Sequence, residues 1–277
     1  MLNVLVPTDY SPEAKNASLY AVQFARQTGS KLIFYHAMPA MIPATDIPYE
    51  NYYLDEQEEK EILKESVLNL LRKHKIPARD VDFDCVVQTA MSITDSIEEE
   101  AGQKKADIVI MGTHGATGWR KFLMGSNTSR LLSKSKIPVL TIPAHYQFGP
   151  VYHIAYASDL ENLQTELELI IPFAKNFHAV AEILYFDYAF SNSEHLLISA
   201  EKTIQENAYK NIKLTVKKGN LELNLAEQIL HHLTLSRTQI LIMFRGEHGF
   251  IDNLVMGSNS QQVVLESGIP VLVIPKS

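Results

Sequence analysis

The stretch GTHGATGWRKFLMGSNTS, residues 112–129, sets Gly112, Gly115, Gly118 and a Gly125-Ser126 step between an apolar run, DIVIM (107–111), and a helix-like segment. Glycine tolerates positive φ and lets another molecule come close to the main chain. Successive exposed N–H groups make an anion nest. A helix opening near Ser126 adds unpaired N–H groups and a positive dipole end. Such a loop suits phosphate oxygens, with Ser126 as helix cap or direct contact. It is not a P-loop, since G-x-x-x-x-G-K-[ST] is absent. Nor is it the dinucleotide fingerprint, whose glycine spacing and strand position differ. Strand, glycine loop and helix can also form a tight turn that binds nothing, so this stretch alone leaves both readings open.

A second copy follows. KIPVLTIP (136–143) recurs as GIPVLVIP (268–275), and MGSNTS (124–129) as MGSNSQ (256–261), both 132 positions on. VPTDYS (6–11) has a weaker counterpart in YASDLE (156–161), 150 positions on. Matching the glycines by letter sets Gly246-x2-Gly249-x7-Gly257-Ser258 against Gly112-x2-Gly115-x9-Gly125-Ser126, with two residues lost inside the loop. The rest of the difference falls between Asp159 and Gly246. Most of it is assigned to AMPAMIPATDIPYENYYL (37–54), rich in Pro and Tyr and without a clear period, and therefore read as a long loop. The chain divides into domains 1–146 and 151–277, with Gly149-Pro150 breaking regular structure between them.

Apolar runs alternate with amphipathic stretches in each copy. Strands are expected at Asn3–Pro7, Lys31–His36, Val81–Val87, Asp107–Met111 and Pro138–Ile142. Helices are expected at Ser11–Thr28, Asp55–His74, Ser92–Gln103 and Ser126–Ser135. In the second copy strands fall near His153–Ala157, Ala181–Tyr185, Leu214–Val216, Gln239–Phe244 and Pro270–Ile274. Helices there fall near Glu161–Phe177, Ser193–Lys210, Leu225–Leu235 and Ser258–Glu266. Runs such as DIVIM and QILIMF suit strands buried on both faces. Strand alternating with helix indicates right-handed crossovers and an α/β fold with mainly parallel sheets.

The 277 residues are 46% hydrophobic and carry a formal charge of −7, which speaks against a nucleic-acid binder. A single cysteine, Cys85, gives no disulfide framework or thiolate cluster within one chain and fits a reducing compartment. MLNVLVPTDYS lacks the basic-then-apolar pattern of a signal peptide, and no apolar run is long enough for a membrane span. The expectation is a cytoplasmic protein with no membrane partner.

Gly112-x2-Gly115-x9-Gly125-Ser126 resembles the nucleotide-binding pattern of the universal stress protein family. VPTDYS is similar to that family's first strand and following turn, FYHA (34–37) to the end of its second strand, and IPVLTIP to its last. The resemblance extends to both halves, so the chain resembles a tandem member. It implies two doubly wound, five-stranded parallel-sheet domains of the adenine nucleotide alpha hydrolase-like fold, strand order 3-2-1-4-5. Strands 1 and 4 then lie side by side where the winding reverses, the crevice in which open α/β sheets bind ligands.

The resemblance further implies that Pro7, Thr8 and Asp9 border the nucleoside and that Ala37, just past strand 2, contacts adenine. Gly112, Thr113, Gly115, Gly125, Ser126 and Asn127 would hold ribose and phosphates. The cofactor implied is ATP or a related adenine nucleotide, with or without Mg²⁺. Arg120 or Lys121 could screen phosphate charge, or be solvated loop charges. The second copy departs: Arg245 precedes the first glycine, Glu247 and Asp252 add negative charge, and Ala157 replaces Pro7. Like charge at close range repels phosphate, so that domain is expected to bind nucleotide poorly or not at all.

Other groupings carry less. His231-His232 are helix neighbours that do not share a face. His114 could shuttle a proton, but no positioned base–nucleophile pair accompanies it. DEQEEKEILKE (55–65) reads as a solvated helix face. Tyr49, Tyr52 and Tyr53 could form a lid or anchor a loop. No catalytic residue or metal ligand set is picked out, so any enzymatic activity is at most slow ATP hydrolysis. A nucleotide-dependent stress-response sensor or interaction module is expected. A slow ATPase, and a structural or small-ligand-binding protein without nucleotide, are the alternatives. Apolar edges in IPVLTIP and IPVLVIP call for pairing within the chain, with a homodimer also open.

Overall fold

The computed structural model describes residues 1–40, 56–113, 126–188, 193–245 and 258–275. It divides into two compact units, Met1–His145 and Tyr146–Ser277. Unit 1 runs β1 (Asn3–Pro7), α1 (Pro12–Thr28), β2 (Lys31–Pro39), α2 (Glu56–Lys73), a 3₁₀ turn (Ala78–Asp80), β3 (Phe83–Ala90), α3 (Ile93–Gln103), β4 (Ile108–Gly112), α4 (Ser126–Lys134) and β5 (Val139–Ile142). Its sheet is parallel with order 3-2-1-4-5.

Unit 2 repeats the plan: β6 (His153–Ala157), α5 (Leu163–Phe177), β7 (Val180–Asp187), α6 (Glu194–Glu206), β8 (Ile212–Lys218), α7 (Leu225–Leu235), β9 (Ile240–Arg245), α8 (Ser258–Glu266) and β10 (Val271–Pro275). Its strands lie in the order β8-β7-β6-β9-β10, also parallel.

The central strands are apolar because helices cover both faces. Val4, Leu5 and Val6 of β1 are buried, as is all of β4. Phe34 of β2 meets Phe83 edge-on, with centroids 6.0 Å apart. Cys85 is buried in β3, and burial, reinforced by the Asp84 charge, pushes its thiol up to about 11. It is a small core side chain and not a poised nucleophile. Helix α1 starts where Ser11 caps it, its Oγ accepting from Ala14 N at 3.1 Å with Pro12 next in line.

Several boundaries differ from those expected. Strand β2 continues to Pro39, pairing Ala37 with Gln88, Met38 with Thr89 and Pro39 with Ala90. Met38 is buried, and this burial favours continuing the ladder into a segment whose prolines suggested a loop. Strand β8 pairs with β7 along its whole length, although its lysines hide the pattern. Helix α6 stops at Glu206 because Asn207 turns extended and its Oδ1 accepts from Tyr209 N at 2.9 Å.

The ladders also correct the letter-based match of the two glycine loops. Val109 pairs with Leu5 and Leu241 with Ala155; Ile142 pairs with Gly112 and Ile274 with Phe244. The separation is 132 positions on both sides of the loop, so no residues are lost inside it. Phe244 therefore holds the place of Gly112, and Arg245 that of Thr113. In the same way Tyr185 stands where His36 does, because Leu184 and Tyr35 are the equivalent partners of Ala157 and Pro7. The shortening of unit 2 lies mostly in the connection before α6 and in α6 itself, 13 residues against 18 for α2, with the rest in the connection from α6 to β8.

Candidate functional site

The turn after β1 is built from short side chains that bond their own main chain. Thr8 N extends the sheet by donating to Tyr35 O at 2.9 Å. Thr8 Oγ1 then accepts from Tyr10 N at 3.1 Å, and Asp9 Oδ1 accepts from Ser11 N at 3.0 Å. Two interlocked turns of this kind favour a left-handed residue between them, and Tyr10 has φ 61°. Asp9 is left exposed at the carboxyl end of β1, with Thr8 half-buried and Pro7 buried behind it.

A network that the sequence did not reveal braces this turn. His36 Nδ1 lies 2.7 Å from Thr8 O, so that nitrogen carries the proton. The Tyr10 ring packs on the imidazole at 4.7 Å between centroids, and Tyr10 Oη donates to Glu59 Oε1 at 2.7 Å. Burial, then the hydrogen bond and charge of Glu59, raise the Tyr10 phenol well above its ordinary value. Glu56 Oε1 accepts from Thr89 N at 2.7 Å. Thus two acids of the expected solvated face of α2 tie that helix to the sheet. The FYHA motif and the spacing of Glu56 and Glu59 were visible, but not that these two acids would reach β3 and the turn after β1.

The second wall comes from β4. The β1–β4 ladder pairs Val4 with Ile108 and Leu5 with Val109, whereas the β1–β2 ladder runs on to Pro7. The strands part beyond Leu5, opening the crevice where the winding reverses. By the same register Thr8 is level with Gly112. Thr113 N donates to Ile142 O at 3.1 Å, and Thr113 is buried. Gly112 O accepts from Thr128 Oγ1 at 3.0 Å, which anchors the first turn of α4 to the end of β4. Asn127 Oδ1 accepts from Thr94 Oγ1 at 3.5 Å, and Ser126 is exposed at the start of the helix.

Pro7, Thr8, Asp9, Gly112, Thr113, Ser126 and Asn127 therefore gather at one end of the sheet. Ala37 is inside β2, not past it, two residues beyond the carbonyl that receives Thr8 N. Gly115 and Gly125, with His114, Trp119, Arg120, Lys121 and the tyrosines at 49, 52 and 53, lie outside the described residues. Among the described residues no group of His, Cys, Asp and Glu is arranged to hold a metal ion. No helix there is long and apolar enough to cross a membrane.

Unit 2 keeps the turn and changes the wall. Ser158 N donates to Leu184 O at 3.0 Å, Leu160 N to Ser158 Oγ at 2.9 Å, and Glu161 N to Asp159 Oδ1 at 3.0 Å, with Leu160 at φ 67°. Facing it, Phe244 is buried and meets Tyr156 edge-on at 5.4 Å. Glu166, buried, accepts from both Tyr156 Oη and Ser158 Oγ. Where unit 1 ends a strand in a glycine, unit 2 has a phenyl ring in the core.

The sequence matches the Universal stress protein family over residues 1–143. A universal stress protein of Methanocaldococcus jannaschii is 27% identical over 140 residues, which is 50% of this chain and 80% of its own length. A second from that organism is 29% identical over 153 residues, 50% of this chain and 93% of its length. Among solved structures, a universal stress protein from Archaeoglobus fulgidus superposes with a TM-score of 0.74 at 17% identity, covering 99% of this chain and 98% of that one. The strand order and these likenesses give the adenine nucleotide alpha hydrolase-like fold. With half of its length matching, the chain belongs to the universal stress protein family.

Proposed function

We propose that unit 1 binds ATP or a related adenine nucleotide and that the chain is a nucleotide-dependent sensor or interaction module in stress response. One observation carries this reading: Gly112, the Thr8–Asp9 turn and the amino end of α4 meet where β1 and β4 part. The N–H groups at the start of α4 suit phosphate oxygens. The exposed Asp9 carboxylate, held by Ser11 N, suits a ribose hydroxyl or an adenine amino group. Gly112 lets a ligand lie against the main chain. Mg²⁺ bound with the phosphates would neutralise their charge; no protein carboxylate set is assigned to it.

Unit 2 does not bind nucleotide in this reading, because Phe244, together with Tyr156 on which it packs and Glu166 bonded to Tyr156, fills the space that must stay open. Its place is in assembly: the apolar last strands are proposed to pair within one chain, with association of two chains a further step measurable by light scattering. Gly112→Phe and Ser126→Ala test the site. Equilibrium titration with ATP and Mg²⁺ is expected to lose binding in the first and weaken roughly tenfold in the second, the size of one lost charge-assisted hydrogen bond. Unchanged affinity in Gly112→Phe would overturn the assignment.

A further inference from the structure

Between α7 and strands β7 and β8 of unit 2 runs an open groove of about 710 Å³. Lys213, Thr215 and Lys217 alternate along β8 and line it. At its floor Glu182 is buried, and its carboxylate is fully engaged. Thr215 Oγ1 donates to it at 2.5 Å, His232 Nε2 lies at 3.3 Å, His153 Nε2 at 3.4 Å and Lys213 Nζ at 3.5 Å. That leaves Lys217, Lys218 and Arg237, all exposed around the groove, with no carboxylate within ion-pair distance among the described residues. A chain of net charge −7 has thus collected a cationic cleft.

Edge strands often carry lysine to block pairing with other chains, and β8 is an edge of its sheet. Unit 1 shows that this need does not set the sign. By strand register Asp84 and Gln88 stand where Lys213 and Lys217 do, and Glu99 and Glu100 of α3 stand where His231 and His232 of α7 do. There Gln88 Nε2 donates to Glu100 Oε2 at 3.1 Å, bridging β3 and α3. The same place in the fold carries acids bridged from strand to helix in one unit, and a groove with basic residues in the other. Leu223 and Leu235 add apolar wall and are 41% and 76% exposed, surface that a carbon-bearing ligand would cover.

We propose that the α7–β8 groove of unit 2 is a second ligand site, for a small multivalent anion of the phosphorylated or polycarboxylate kind. Lys217, Lys218 and Arg237 hold the anionic groups, and Glu182 holds Lys213 and the two histidines in place. The site is separate from the nucleotide crevice of unit 1 and does not depend on it.

The test uses the full chain, titrated calorimetrically at low salt with inorganic tripolyphosphate and, separately, citrate. Saturable binding of at least one probe is expected, persisting in Gly112→Phe and weakening as salt rises. In K217E/R237E the affinity should fall at least about tenfold, since each cation makes a charge-assisted contact. The milder K218A/R237A should fall in the same direction. Response to tripolyphosphate or to citrate distinguishes phosphate from carboxylate chemistry. Absence of saturable binding by either probe, affinity unchanged in K217E/R237E, or binding abolished by Gly112→Phe would each overturn the proposal.

Discussion

Units 1 and 2 share one turn and differ in the strand opposite it. After β1 and after β6 the same three hydrogen bonds recur, with Tyr10 and Leu160 both left-handed. Thr8 and Ser158, and Asp9 and Asp159, are interchangeable for that purpose because the turn needs a hydroxyl and then a carboxylate oxygen. The opposing strand end is Gly112 in one unit and Phe244 in the other. Keeping the turn without the glycine shows that it is first a folding device, the link that starts α1 and α5. What separates the units in ligand terms is the space across from it.

Exchanging the residues at that point should give the largest effects. Phe244→Ala removes a buried ring packed on Tyr156 and should cost unit 2 about 3–5 kcal/mol, the usual range for phenylalanine truncation in a core. Denaturant unfolding would measure it. ATP binding by unit 2 is not expected to appear, since Tyr156 and Glu166 still occupy the region. A new nucleotide site in this variant would show that the ring alone closes unit 2.

Acid should also separate the units. Glu182 starts from 4.5; burial pushes it up, but hydrogen bonds from His232 and Thr215 and the two histidine charges outweigh this and bring it to about 2. His153 is lowered by burial despite the Glu182 charge. Both groups bind protons more weakly folded than unfolded. Their contribution is present above the unfolded values and is lost as pH falls, below about 6.5 for His153 and from about 4.5 toward 2 for Glu182. Hydrogen exchange resolved by peptide should therefore show unit 2 loosening on acidification, and Glu182→Gln should flatten the part of that slope between about 4.5 and 2 while steepening the part below 6.5, because His153 loses the charge that holds its value up. Equal acid sensitivity in wild type and variant would count against the cluster.

The smallest expected effect concerns the ends of the first helices. Gly29 closes α1 at φ 70°, and His178 closes α5 at φ 54°. A left-handed residue with a Cβ costs about 1 kcal/mol that glycine avoids. His178→Gly should raise the stability of unit 2 by about that amount in denaturant unfolding, and Gly29→Ala should lower that of unit 1 similarly.

The order of strands and helices was legible because each central strand is a bounded apolar run and each helix carries its own period and cap. Ser11-Pro12 marked α1 plainly. Register was not legible. The letters G-x-H-G invited Gly246 to be set on Gly112, whereas hydrogen-bonded ladders through β1 and β6 put Phe244 there. Sequence similarity weighs letters, while a ladder fixes positions by main-chain spacing. The tie of His36, Tyr10 and Glu59 was hidden for another reason: it joins three elements far apart in the chain, and each residue alone reads as ordinary surface. The charge reversal between β3 and β8 was likewise present in the letters, but only the register pairs Asp84 with Lys213.

The central claim is that one unit holds nucleotide and the other does not. Isothermal titration of the full chain with ATP and Mg²⁺, in protein freed of carried-over nucleotide and at salt high enough to silence the cationic groove, tests it most directly. One site per chain, lost in Gly112→Phe, is the predicted result. Two equivalent sites per chain, or one site that survives Gly112→Phe, would contradict it.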